Sequence, residues 1–452
     1  MSNTGVNIRL LIPRLWKKLQ GGGIGPVLAR GASAAFAVSI LGAVMAFGTN
    51  VLLARLMGVT QYGIYIYALT WINLLVLVSQ LGMNTSLLRF IPAYNANAKW
   101  GLLRGVLTRS IQYVALASIL IGVAGTLVVR IIYENIGHDQ AITFWLAFFL
   151  LPILSLGGLR QAALRAFKRI VQSGLPDSLF RPLVIVVLAS GVYAFSEKSL
   201  QADQVMILNI VAAMIALIIG TLWLIKALPP QLRVNKPIYT DIDWLKVSLP
   251  LFFMAGMSLI LHKTDIIMIG IFLDAEHAGV YAIASRVAGL MSFGLAAANT
   301  IVAPMISELY STGQYQKLQK MITYAARGIG VFTLIMGLCL AIMGEFLLGL
   351  FGEDFIAGYI PLVILICGQT INALAGSVGF IMIMTGHQKQ AASIIGMIAM
   401  INIIGNYILI PLLGLLGAAI TTAVATSLLN FIMLAYVLKR LNINPTAFAC
   451  RA

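Results

Sequence analysis

Gly63-Ile64-Tyr65-Ile66-Tyr67-Ala68 and Gly279-Val280-Tyr281-Ala282-Ile283-Ala284 share the pattern G-x-Y-x-x-A and stand 216 residues apart. Each opens an apolar run after a short polar break, and Pro92 and Pro304 close the two runs. Motif, position and proline together predict an internal duplication. Working outward, runs of about 20 apolar residues, the length that crosses a bilayer, fall at 33–56, 64–88, 110–132, 141–159, 179–195, 204–225, 245–273, 278–303, 328–351, 359–385, 391–410 and 415–438. Six lie on each side of a polar, proline-containing connection. Six spans per repeat give both halves the same orientation. The expected fold is therefore an all-α polytopic membrane protein of about 12 transmembrane helices. They form two six-helix lobes related by a parallel pseudo-two-fold. The expected organisation is an amphipathic segment at 1–30, an N-lobe at 31–226, a linker at 227–244, a C-lobe at 245–440 and a tail at 441–452.

Composition agrees. Of 452 residues, 60% are hydrophobic and 10% charged, against about 25% charged in a soluble domain. That is too little charge to cover a soluble surface, which excludes a soluble enzyme, a disordered chain and a secreted disulfide scaffold. Cys339 and Cys367 sit in apolar runs and read as small core hydrophobes, and Cys450 is misplaced for prenylation. The net charge of +16 follows the positive-inside rule and not nucleic-acid binding. With the N-terminus in the cytoplasm, 25 of the 30 Lys and Arg fall in cytoplasmic segments, and nine of the 14 acids fall outside. Both termini are then cytoplasmic. At 1–30, Ile8, Leu11, Ile12, Leu15, Trp16 and Leu19 recur at helical spacing among bases, as in a helix lying on an anionic leaflet.

Ionisable groups inside a membrane are costly and mark function by default. His262, Lys263 and Asp265 fall in the seventh span and Arg286 in the eighth. Asp265 and Arg286 lie at similar depths, so antiparallel neighbours would pair them, with His262 on the Asp265 face. One reading is a neutralised pair that holds helix packing. The other is an anion site, with Lys263 and Arg286 as counter-charges and Asp265 tuning them or accepting a coupling H⁺ or Na⁺. In the first half the equivalent positions, Thr49 and Thr70, are uncharged, with Asn50 alongside. Arg30, Arg55 and Arg89 lie at the ends of the first two spans, as snorkelling side chains or as further anion contacts. The histidines lack metal spacing, Asp241-Ile242-Asp243 has no nucleotide-binding domain around it, and no P-loop lysine follows the glycines at 21–25.

Leu52-Leu53-Ala54-Arg55-Leu56-Met57-Gly58 with Gln61-Tyr62-Gly63-Ile64-Tyr65 resembles the opening of bacterial polysaccharide (O-antigen-type) flippases. Lys263-Thr264-Asp265-Ile266-Ile267-Met268-Ile269-Gly270 with Ala278-Gly279-Val280-Tyr281 and Ala284-Ser285-Arg286 resembles the start of their second half. These flippases belong to the multidrug/oligosaccharidyl-lipid/polysaccharide exporter superfamily. The resemblance implies two lobes around a central, often cationic, cavity. It also implies a polyprenyl-diphosphate-linked glycan as substrate, a multi-pass location in the bacterial inner membrane, and membrane lipids and other polysaccharide assembly proteins as partners. Lys263, Arg286, Arg30, Arg55 and Arg89 would face the diphosphate, and Asn50, Gln80 and Asn84 the sugars. No cofactor is expected. A cation-coupled multidrug exporter of the same superfamily, or a membrane glycan polymerase or ligase, are the competing readings. A net-basic site suits cationic drugs poorly, and short external loops leave a polymerase no outer catalytic surface.

Overall fold

The computed structural model describes residues 24–132, 137–196 and 198–447; most of the expected amphipathic segment at 1–30 lies outside them. Among these residues there is no strand. In chain order the α-helices are α1 (Ile24–Gln80), α2 (Met83–Ala96), α3 (Trp100–Ile131), α4 (His138–Ala166), α5 (Ile170–Leu175) and, after a π turn at Pro176–Phe180, α6 (Arg181–Ser196). Then come α7 (Ala202–Ala227), α8 (Gln231–Val234), α9 (Asp241–Phe272), α10 (Ala275–Gly289), α11 (Ser292–Ser311) and α12 (Tyr315–Gly349). After a 3-10 turn at Glu353–Gly358, α13 (Tyr359–Leu374), α14 (Val378–Met384), α15 (Gln388–Leu413) and α16 (Leu415–Leu441) complete the chain. Ten helices in the described residues are long and apolar enough to cross a membrane. One of them, Ala37–Gln80, is 44 residues long and is broken at Gly58 (φ 76°, ψ 171°), a backbone state that glycine tolerates.

Several expected spans are divided. The second is cut at Leu81-Gly82, the eighth at Leu290-Met291 and the tenth at Ala375-Gly376-Ser377. Gly82 there has φ 74°, and a Cβ on it would meet the Ser248 carbonyl oxygen at 2.2 Å. Outward-facing side chains such as Val123, Leu127, Val187, Leu338 and Ile342 are apolar and exposed, as a lipid-facing surface requires. Cys339 and Cys367 are exposed too. They are not core residues, because in a membrane an apolar run does not have to point inward.

The two halves of the chain meet closely at one end of the bundle. There Gly63 and Gly279, which open the two repeated motifs, face each other. A Cβ on Gly279 would lie 2.6 Å from Gly63 Cα, and one on Gly63 2.3 Å from the Ala275 carbonyl oxygen. Thr60 donates to the Glu276 carboxylate at 2.6 Å. Phe47 meets Phe351 edge-on at 5.3 Å, and Tyr62 meets Phe355 at 5.7 Å. Gln61 ties this end within the first half, donating to Asp139 and accepting from the Ala202 amide. A single apolar core therefore runs through both halves here, including Tyr62, Tyr65, Tyr281, Phe351 and Phe355.

At the opposite end the core divides. Met83, Leu87, Leu103, Leu159 and Trp244 form one cluster, and Ile306, Leu318, Ile381 and Val437 form another. The bridge between the halves here is the start of α9 and the connection before it. Ile238 N–H donates to the Gly101 carbonyl at 2.9 Å, Trp244 Nε1 donates to Tyr94 Oη at 3.1 Å, and Arg109 pairs with Asp241 at 3.3 Å. Connections and first helical turns at this end carry Lys99, Lys168, Arg169, Lys236, Lys317 and Lys389, whereas Asp139, Asp203, Glu276, Glu353 and Asp354 sit at the joined end.

Candidate functional site

Asp265 lies in α9, fully enclosed. Ile266 N–H donates to its Oδ1 at 2.9 Å and Thr422 Oγ1, from α16, donates to its Oδ2 at 3.4 Å. The polar chain continues through Asn402 Nδ2, which donates to Thr422 Oγ1 at 3.4 Å, and Asn406 Nδ2, which donates to Asn402 Oδ1 at 3.1 Å. Asn402 and Asn406 are four apart on α15 and so share one face. Tyr281, the tyrosine of the second repeated motif, is buried with its hydroxyl beside Asp265 and Thr422. That hydroxyl shares its hydrogen-bonding capacity between Asp265 and Thr422, while Asn406 Oδ1 is buried without a hydrogen bond among the described residues.

The expected Asp265–Arg286 pair is not formed. Arg286 is exposed, and its Nη1 reaches Tyr62 Oη at 3.5 Å across the joint between the halves. Tyr62 Oη in turn donates to Asn50 Oδ1 at 2.9 Å. Asn50 and Arg286, from opposite halves, are thus brought together by a tyrosine. Equal depth is a poor guide here, because the neighbour of Asp265 across its carboxylate is α16. Lys263 is partly buried and within electrostatic reach of both Arg286 and Asp265. It has no hydrogen bond or ion pair among the described residues. His262 joins no network with Asp265 and Arg286. It is exposed, and Nδ1 donates to the Ser258 carbonyl at 2.7 Å.

The other arginines separate. Arg55 is engaged at the joined end, where Nε donates to the Leu350 carbonyl at 2.6 Å and Nη2 to that of Gly349 at 3.2 Å. These are the orphan carbonyls at the C-terminus of α12, where a cation is favoured. Arg89 is exposed on α2. The Arg30 side chain lies outside the described residues. Gln80 is buried, packed over Gly158, with Nε2 donating to the Ser155 carbonyl at 3.3 Å, and Asn84 Oδ1 accepts from the Thr85 amide. Gln80 is therefore packed between helices, whereas Asn84 is half-buried.

The first half is not devoid of internal charge. Arg160, buried in α4, pairs with Asp177 and donates to the Ala216 carbonyl. Gly220 makes the room, since a Cβ there would lie 1.9 Å from Arg160 Nη1. Arg181, on α6, donates from Nε and Nη2 to Asn209 Oδ1 at 3.0 and 2.8 Å, and Asn209 Nδ2 donates to Tyr65 Oη at 2.9 Å. The tyrosines of the two repeated motifs therefore meet opposite chemistry. Tyr65 is linked through an amide to a cation, and Tyr281 lies beside an acid. Hydropathy puts Arg160, Asp177 and Arg181 in or beside a polar connection, because the apolar runs stop at 159 and resume at 179. The helices continue through that gap. Asn209, Asn402 and Asn406, polar residues inside apolar runs, are the signal that could have found these networks.

The family described as polysaccharide biosynthesis protein matches residues 28–310, more than half the chain. The chain belongs to this family. Among curated relatives, the probable low-salt glycan biosynthesis flippase Agl15 of Haloferax volcanii is 29% identical over 171 residues, 36% of this chain and 34% of that protein. The match thus spans about a third of that relative. An uncharacterized membrane protein of Methanocaldococcus jannaschii is 23% identical over 404 residues, 84% of this chain and 78% of that one. Among solved structures, the lipid II flippase MurJ in an inward closed conformation aligns with a TM-score of 0.68 at 17% identity, covering 90% of this chain and 87% of that one. An inward-facing multidrug resistance MATE transporter of the MOP superfamily aligns at 0.65 and 14% identity, covering 90% and 94%. The polysaccharide biosynthesis family member described here therefore has a MOP-type fold.

Proposed function

We propose that this protein is a flippase that carries a polyprenyl-diphosphate-linked oligosaccharide across the cytoplasmic membrane by alternating access. In this reading the helix Ala37–Gln80 makes two crossings divided at Gly58, and α10 with α11 makes one. The total is then twelve, in two lobes at 31–226 and 245–440 with both termini cytoplasmic. The observation that supports it most is the apolar core, continuous at the acidic end and divided in two at the basic end. Such a body is closed outward and parted inward. Rocking the lobes about the Gly63–Gly279 crossing would exchange the two states. The polar head of the substrate would cross between the lobes while its tail stays in lipid.

Lys263 and Arg286 are the diphosphate contacts in this reading. Arg286 is exposed in the last turn of α10 and reaches Tyr62 across the joint between the halves, and an arginine fork suits phosphate oxygens bidentately. Asn50, whose Oδ1 accepts from Tyr62 and whose Nδ2 donates to the Ala46 carbonyl, orients Tyr62 toward Arg286. Arg55 is left out, because its guanidinium is used on α12. For coupling, the Asp265 carboxylate, with Tyr281 Oη and Thr422 Oγ1 beside it, is the group that would receive a hard cation such as Na⁺. A bound cation would supply positive charge to the buried carboxylate. The chain's own residues supply the enclosure and the neutral oxygens.

The test is transport of a fluorescent polyprenyl-diphosphate glycan in reconstituted vesicles. Lys263→Ala and Arg286→Ala should each abolish it in folded protein, with Arg286→Lys partly active. Transport by both alanine variants at the parental rate refutes the diphosphate assignment, and export of cationic drugs in place of the glycan favours the multidrug reading. Na⁺-dependent rates that Asp265→Asn removes support the cation site; rates that follow pH alone favour proton coupling.

A further inference from the structure

A cavity of about 1090 Å³ opens at the basic end, far from the joint between the halves, against the start of α12 and the end of α16. Its wall carries three cations, Lys320, Arg327 and Arg440, and no Asp or Glu. Tyr310, Tyr315 and Tyr324 complete its polar rim, and Tyr315 and Tyr324 are exposed. The floor is built by the chain after α16. Gln319 Oε1 accepts from the Asn444 amide at 2.8 Å and Gln319 Nε2 donates to the Asn444 carbonyl at 2.7 Å. Arg327 Nε donates to the Ala447 carbonyl at 3.2 Å, and Gly376 accommodates Pro445, whose carbonyl oxygen a Cβ would meet at 2.3 Å. The cavity is thus held open by a strapped segment.

Its height on the bundle is informative. On α12 the outward face is polar through Lys320 and Tyr324 and becomes apolar at Val331, Phe332, Leu334 and Ile335, all exposed. On α16 the apolar face ends at exposed Leu438 and is followed by Lys439 and Arg440. The cavity therefore lies where hydrocarbon gives way to the headgroup layer. Tyrosines cluster there in membrane proteins, and basic pockets between helices there receive anionic headgroups. No residue of the described chain neutralises Lys320 or Arg440: neither has an ion pair or hydrogen bond.

We propose that this cavity binds the phosphate head of an anionic membrane lipid, with Lys320 and Arg440 as the phosphate contacts and the tyrosine hydroxyls as further donors. The lipid tails would lie on the apolar faces of α12 and α16 directly beneath. The site lies on one half only, so a lipid held there stays in place while the halves move relative to each other. The inference requires a membrane-embedded chain, and it stands whether or not the substrate is a lipid-linked glycan.

The experiment uses the full chain in nanodiscs of phosphatidylcholine with and without phosphatidylglycerol, reading co-purified lipid by native mass spectrometry and thermal stability in parallel. Phosphatidylglycerol should be retained after delipidation and should raise the unfolding temperature. Lys320→Gln with Arg440→Gln should lower retention about tenfold or more, while Lys317→Gln, an equally exposed lysine outside the cavity, should leave it unchanged. All three positions are on the surface, and the parental unfolding temperature in pure phosphatidylcholine would verify that the variants fold. Equal retention by parent and double variant overturns the proposal. So does an equal loss in the Lys317 variant, which would mean diffuse attraction. Stabilisation by free inorganic phosphate that matches phosphatidylglycerol would also overturn it, by making the ligand a soluble anion.

Discussion

Replacing Arg55 with Ala removes two charge-assisted hydrogen bonds that tie α1 to the last carbonyls of α12. A hydrogen bond to a charged group contributes about 1.5–3 kcal/mol, and a cation at a helix C-terminus about 0.3–1 kcal/mol. The site is exposed, so water takes over the carbonyls and the lower part of these ranges applies. A loss of about 2 kcal/mol is specific to the state in which this end is closed, and it shifts the closed-to-open ratio ~30-fold. Spin labels at Ser199 and Asp354, exposed on opposite halves of this end, would read the change as a distance distribution, in protein with Cys339, Cys367 and Cys450 replaced. Arg55→Ala should populate a longer distance that is rare in the parent, and Arg55→Lys should fall between them. A distribution in Arg55→Ala that superposes on the parent's would refute the idea that this arginine holds the end shut.

Gly220→Ala places a Cβ 1.9 Å from the Arg160 guanidinium, so it should separate Arg160 from Asp177 and lower thermal stability measurably in detergent. Arg160→Met alone should cost about 3–5 kcal/mol, and adding Asp177→Leu should restore most of it, because removing both members of a buried pair strands neither; the unfolding temperatures of single and double variants decide. Asp274 caps α10 by accepting from the His277 amide at 2.8 Å, and Asp274→Ala should cost about 1 kcal/mol. Partial burial pushes the Asp274 carboxyl up, but hydrogen bonds from the His277 amide and ring outweigh it and hold it below the ordinary 3.8. Its contribution should be complete above that pH and fade as pH falls through the lower folded value, which a pH series of unfolding temperatures for the parent and the Asp274→Ala variant would show.

The membrane-spanning plan is legible because about 20 apolar residues in a row have few other uses. The repeated motifs are also informative, since their glycines meet and their tyrosines occupy matching buried positions. Three features are not legible. Helix breaks at Leu81-Gly82 and Leu290-Met291 leave hydropathy unchanged. Arg160, Asp177 and Arg181 look like loop residues because interior charge and loop charge are identical in composition, and only the partners Ala216 and Asn209 on α7 distinguish them. Asp265 stands out as an acid inside an apolar run, but apart from Tyr281 its polar surroundings come from α15 and α16, about 140 to 160 residues away in sequence. No local pattern could connect them.

The Gly63–Gly279 crossing constrains how the two halves can diverge. Most tight contacts join side chains, so a bulky change on one surface can be answered by a smaller residue on the other. Here the would-be obstacle on each side is main chain, Ala275 and Glu276 for Gly63 and Gly63 itself for Gly279. No partner substitution removes a backbone atom. A methyl group at either glycine can be relieved only by sliding one whole helix away from the other, so second-site suppressors should arise at distant positions that reset helix spacing, never as a reciprocal exchange at the crossing itself.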